Sequence, residues 1–147
     1  MSLPEPETGM VIRYAYLWRA EAGRGLEEGQ KDRPCAIVLA HRRQENGDTT
    51  VVVAPITHQH PTGDPDAIAI PWAVKRRIGL DDEPSWIITN DVNSFVWPGP
   101  DLRSVDPRTS GSGFVYGFLP ENLAKQLVSA IRMHMRQGTF RPVQRTE

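Results

Sequence analysis

The chain carries one cysteine, Cys35, in 147 residues. A single thiol closes no intrachain disulfide and builds no thiolate zinc cluster, so stability has to come from a packed core. That economy suits a reducing, cytoplasmic setting. Long hydrophobic runs are missing as well. No stretch approaches the ~20 apolar residues of a spanning helix, and the N-terminus lacks the basic-then-apolar order of a secretory signal. Excess charge of either sign is also absent. The formal net charge is −1, so any nucleic-acid contact has to come from a local patch, not from an overall field. The sequence shows no glycine-rich phosphate loop, no Ser-His-Asp arrangement and no His-Glu-x-x-His, so nucleotide hydrolysis and metalloprotease chemistry have nothing to build on.

Turn residues are plentiful. The 12 glycines and 13 prolines fall between short apolar runs, a layout that favours a turn-rich β protein. One domain accounts for the length. Residues 1–8, acidic and proline-rich, read as a disordered lead-in. Residues 9–138 read as a single domain and 139–147 as a loosely ordered basic tail.

Within the domain, Gly9 opens a strand through Trp18 whose two faces both carry bulky groups. Arg19 to Asp32 is polar, has no hydrophobic rhythm and is too long for a tight hairpin, as functional or mobile loops often are. Lys31-Asp32-Arg33-Pro34 then runs into the unbroken apolar segment Cys35 to Ala40, the pattern of a strand buried on both faces. Pro34 lacks an N–H and belongs at that strand's start, so Arg33 is placed where a rigid strand emerges into a loop. Asn46-Gly47 signals a hairpin into a second β-branched strand, Thr49 to His58. That hairpin predicts Arg33 and Thr57 to be close in space.

Short β runs are expected at 67–71, 85–89, 91–97 and 114–118. Lys75-Arg76-Arg77, the densest basic cluster, reads as a solvated turn or a phosphate-contacting rim. Pro120 sits well in the first turn of a helix and Gly138 past its end. Between them Leu119, Leu123, Leu127, Ile131 and Met135 recur every four residues as one apolar stripe. The expected fold is mainly β: a small, SH3-like barrel with a C-terminal α-helix.

Three motifs, Gly9-Met10-Val11-Ile12, Arg33-Pro34 and Pro55-Ile56-Thr57-His58, in this order and spacing, resemble the MazF/PemK family of toxin endoribonucleases. The resemblance spans the chain from about Gly9 to the last helix. It implies a CcdB/PemK-like barrel, a homodimer, a cognate antitoxin with an acidic disordered segment, and metal-independent cleavage of single-stranded RNA by the substrate's own 2′-hydroxyl. Arg33 would stabilise the phosphorane, Thr57 would donate to the same phosphate, and Glu28 (with Glu27 the alternative) would be the acidic residue of the loop. His58 is a second candidate for proton transfer on chemical grounds. Lys31, Lys75, Arg76 and Arg77 are candidate RNA contacts. No cofactor is implied, and the pair His58 and His60 shows no third metal ligand nearby in sequence. A related barrel poisons gyrase without cleaving anything, so a non-catalytic module that binds a protein target or a peptide is the alternative.

Overall fold

Apolar runs without alternation have to be covered on both faces, and that requirement shapes the whole sheet. In the computed structural model, which describes residues 5–18, 31–43, 45, 47–59, 61, 63–105, 113–138 and 142–145, the two longest strands form the expected hairpin. β1 is Met10–Tyr16, β2 is Lys31–Arg42 and β3 is Thr49–Thr57. β2 pairs antiparallel with β1 on one side and with β3 on the other. The turn closes with Arg43 N–H donating to Asp48 O at 2.7 Å and Gly47 N–H to Arg43 O at 3.0 Å.

The far side of β3 is shared. Its N-terminal half pairs with β6 (Asn93–Val96) and its C-terminal end with β5 (Trp86–Ile87), which in turn pairs with β4 (Ile68–Ala69). β7 (Val115–Phe118) adds to the outer side of β1. The result is mainly β: an open, curled, almost wholly antiparallel sheet forming a half-barrel, with one long helix at the C-terminal end.

Side chains alternate across β2 as its period of two requires. Ala36 and Val38 enter a core with Val11, Ala54, Ile56 and the helices. Cys35 and Ile37 enter a second core with Ile12, Tyr14, Val51 and Phe95. Tyr14 and Tyr16 are fully buried, so the aromatic face of β1 is core. Burial pushes the Cys35 thiol far up, making it a small hydrophobe and not a nucleophile.

Two helices are present among the described residues. α1, Trp72–Arg77, is a single short turn-and-a-half where the sequence reading places a turn. Pro71 fixes the entry backbone at φ −57°, and the helix stops before Gly79 at φ +78°. α2, Glu121–Gln137, runs from Pro120 to Gly138, whose left-handed φ of 67° caps its end as the sequence predicts. The apolar stripe is corrected at one end. At about 100° per residue, four-residue spacing drifts about 40° each step, so Met135 has rotated to the solvent side while His134 faces inward. Met135 is 51% exposed and His134 6%. Gly117 of β7 lies so close to α1's end that a Cβ there would stand 2.8 Å from Ile78 Cγ2.

The chain ends are corrected too. Val143–Gln144 forms β8, parallel to β6. Buried Arg145 pairs with Asp101 at 3.0 Å and donates to Ala15 O at 2.7 Å. Part of the expected loose tail therefore belongs to the second core's lid. Residues 1–4 of the lead-in lie outside the described residues, while Thr8 Oγ1 donates to Val38 O at 3.2 Å. No helix among the described residues is long and apolar enough to cross a membrane.

The helix geometry is testable. Leu127, with no exposed surface, should cost about 2–5 kcal/mol when changed to Ala. Met135→Ala should change stability by no more than about 0.5 kcal/mol. Chemical denaturation of both variants measures the contrast, and equal losses would contradict the placement of α2's inner face.

Candidate functional site: a cleft at the open end of the β2–β3 hairpin

Cys35 is registered against Pro55, so Arg33 and Thr57, two residues further out on each strand, leave the sheet at the same end. Here the pairing opens into a cleft of about 640 Å³ lined by Trp18, Asp32, Arg33, Thr57, His58 and Gln59 among others. The hairpin expectation is met, and His58 joins the two residues.

The cation in this cleft is unusually placed. The Arg33 guanidinium lies over the Trp18 ring, 5.0 Å from its centroid, which holds it by cation–π contact. Its Nε is buried and has no hydrogen-bond partner among the described residues. Nor does it pair there with a carboxylate, although Asp32 is adjacent in sequence. Asp32 turns instead to Arg13 at 3.8 Å and Arg103 at 3.7 Å. A buried donor left unmatched costs about 1–3 kcal/mol, a cost the fold carries at the cleft wall. Thr57 Oγ1 accepts from Gln59 N–H at 3.2 Å, an arrangement that leaves the hydroxyl proton available to a cleft ligand.

His58 is held by one loop. Its Nε2 is 2.7 Å from Asp81 Oδ2 and 3.6 Å from Glu83 Oε2. Its Nδ1 is 3.0 Å from Ser85 Oγ and 3.3 Å from Pro84 O. The loop is locked from beneath by Lys75, which overturns the rim expectation for that residue. α1 turns Val74 and Ile78 into the core and Lys75 stands on the same inward side, 2% exposed. Its three N–H groups meet three acceptors: Asp81 Oδ1 at 2.8 Å, Ser85 Oγ at 2.7 Å and Glu83 O. Full pairing is what makes a buried ammonium tolerable. Partial burial raises the Asp81 carboxyl, but hydrogen bonds from Lys75 and the Glu83 N–H, with the charges of His58 and Lys75, hold it below its ordinary value.

Asp81, His58 and Ser85 thus touch in a Ser–His–Asp order that chain order does not reveal. Ser85 is 2% exposed and already serves Lys75, so its hydroxyl is a strut and not a nucleophile presented to the cleft. His58, Asp81 and Glu83 also place three ligand atoms close together, as do Asp64, Asp66 and His134. The ligands missing around His58 in the linear sequence are therefore supplied by the fold. In the first group Lys75 occupies Asp81. In the second, Asp64 accepts from the Thr89 N–H at 2.6 Å and from Thr89 Oγ1 at 2.9 Å. Both arrangements are accounted for by the protein's own bonds.

Arg76 and Arg77 are exposed on α1, Arg76 stacked 5.1 Å from the Trp72 ring. Glu28, its alternative Glu27, His60 and the Lys31 side chain lie outside the described residues. Sequence reading misses Trp18, Asp32 and Gln59 as cleft residues. Asp32 could have been found from its place beside Arg33, whereas Trp18 enters only through the β1–β2 register.

Comparison with protein-family models finds no match to this chain, and comparison with curated proteins finds none either.

The lock is ionic, and that predicts a pH signature. A carboxyl with a lowered folded pKa stabilises above its unfolded value, and the contribution disappears as pH falls through the folded value. Asp81→Asn should therefore lower thermal stability at neutral pH. With Asp81 half in solvent the loss should be about 1–3 kcal/mol, less than for a fully buried pair. The gap between wild type and variant should be full above the ordinary carboxylate value, about pH 4, and should narrow only as the pH falls further, through the lowered folded value. Melting curves across pH give the readout; a gap already closed above about pH 5, or one that does not narrow at all as the pH falls below about 4, would contradict an ionic lock.

Proposed function

We propose that the chain is a metal-independent endoribonuclease acting on single-stranded RNA, the toxin of a type II toxin–antitoxin pair, as the resemblance to the MazF/PemK family implies. One observation carries the reading: Arg33, held over Trp18 with a buried and unmatched Nε, lines one cleft with the Thr57 hydroxyl. A guanidinium that meets no carboxylate among the described residues, in one cleft with a hydroxyl donor, fits a phosphodiester, whose oxygens accept hydrogen bonds and gain charge as the phosphorane forms.

In this mechanism the 2′-hydroxyl of the RNA attacks the adjacent phosphorus and the bond to the 5′-oxygen breaks. Products are a 2′,3′-cyclic phosphate and a 5′-hydroxyl. Arg33 and Thr57 hold the non-bridging oxygens. Glu28 is the carboxylate that the family resemblance assigns to taking the 2′-proton. His58 supplies or removes a proton only after releasing a partner, and Glu83 at 3.6 Å is the loosest of them. Arg33 is not the base, because guanidinium stays protonated.

The biological half of the proposal is growth inhibition in the cytoplasm by cleavage of mRNA, relieved by an antitoxin whose acidic segment occupies the cleft, with the toxin acting as a homodimer. Against the non-catalytic alternative stands the pairing of Arg33 with Thr57, which binding of a protein target does not require.

Purified protein incubated with mixed-sequence single-stranded RNA in EDTA provides the test. Wild type should leave cyclic-phosphate and 5′-hydroxyl ends. Arg33→Ala should be slower by about 10²–10³-fold, and Thr57→Val, which keeps shape but loses the hydroxyl, by about 10²-fold. Undiminished cleavage by both variants would remove the site assignment. No cleavage across varied sequences would favour the binding module.

A further inference from the structure

Two arginines without a part in the chemistry above face Asp32, a residue of the cleft wall. In the β1–β2 register Arg13 lies opposite Pro34 and Ala15 opposite Asp32, so Arg13 and Asp32 are diagonal neighbours on one face. Arg13 Nη2 is 3.8 Å from Asp32 Oδ2, and its Nη1 donates to Ser104 O at 3.0 Å. Arg103 arrives from the segment following β6. That segment is fastened to β1 by Ala15 N–H donating to Asp101 O and Arg103 N–H to Arg13 O, each at 2.9 Å. Arg103 Nη1 donates to Pro100 O at 2.8 Å and to Leu102 O at 3.1 Å, while its Nε is 3.7 Å from Asp32 Oδ1.

Two guanidiniums therefore share one carboxylate, both at distances beyond a hydrogen bond. The three side chains are 27%, 36% and 33% exposed, open enough to meet a ligand. One carboxylate neutralises one cation, which leaves the group a net positive charge beside a cleft that Asp32 itself borders. A guanidinium has five N–H donors, and the carbonyl bonds at Ser104, Pro100 and Leu102 engage only one terminal nitrogen on each arginine.

We propose that Arg13 and Arg103 form a second phosphate subsite, taking the RNA phosphodiester next to the one held by Arg33 and Thr57. The proposal rests on the nuclease reading and adds to it how the strand is gripped. Planar forks match phosphate oxygens, the support is rigid because main-chain bonds fix both arginines to β1, and such contacts are blind to base identity. Asp32 is the resting counter-ion: it holds the two arginines in place without RNA and competes with the incoming phosphate.

The test is binding of a 2′-O-methyl single-stranded oligonucleotide, which has no attacking hydroxyl, followed by anisotropy over a range of KCl. The double variant Arg13→Gln, Arg103→Gln should weaken binding at low salt. It should also reduce the slope of log affinity against log salt by about 0.7, the loss of one single-strand phosphate contact. Arg13→Lys, Arg103→Lys should keep the slope, and Asp32→Asn should tighten binding by removing the competitor. If wild type binds and the glutamine pair leaves the slope unchanged, the subsite is overturned and the nuclease reading stands. If the glutamine pair fails to fold, Asp32→Asn decides, because weaker or unchanged binding there overturns the subsite. Wild type that binds no oligonucleotide but binds an acidic peptide overturns both readings.

Discussion

The antiparallel pairing of β2 with β3 is the constraint on which the rest depends. Because β2 is covered on both faces, a slip of one residue would exchange Cys35 and Ile37 with Ala36 and Val38, putting every side chain into the wrong core. That penalty fixes the register, and the register delivers Arg33 and Thr57 to the same end of the hairpin. Position at the cleft is thus inherited from the core. Trp18, the last residue described on β1's side, supplies the surface on which Arg33 is laid.

Charge is handled differently on the two sides of that cleft. On one side the 81–85 loop spends its acceptors on Lys75 and His58, so a buried ammonium and a half-exposed imidazole are both matched. On the other side cations outnumber their described partners: Arg13 and Arg103 share Asp32, and Arg33 pairs with no carboxylate among the described residues. In a chain of net charge −1, such a local group of cations, and not an overall basic field, is what would draw a polyanion.

Much of this was legible in linear order because the signals are local. Pro34 ahead of an unbroken apolar run, Asn46-Gly47 between two β runs, and Pro120 and Gly138 around a helix each act within a few residues. The misses are non-local or too short to show a period. α1 spans six residues, less than two turns, and its three basic residues hide that Lys75 points inward. β8 exists only because β6 is there to pair with it. The contacts of Asp81 and Ser85 with His58 cross more than 20 residues and leave no spacing to read. Met135 fails for a geometric reason, since a four-residue repeat drifts off the face of a 3.6-residue helix.

The central claim is that the Arg33 guanidinium receives the oxygens of an RNA phosphate. Its most direct measurement is the arginine Nε–H region of a ¹H–¹⁵N NMR spectrum during titration with an uncleavable 2′-O-methyl oligonucleotide, the Arg33 signal assigned by its loss in Arg33→Lys. The account predicts that this signal shifts as the oligonucleotide binds. An Arg33 Nε–H that stays unchanged while the oligonucleotide saturates the protein would contradict it.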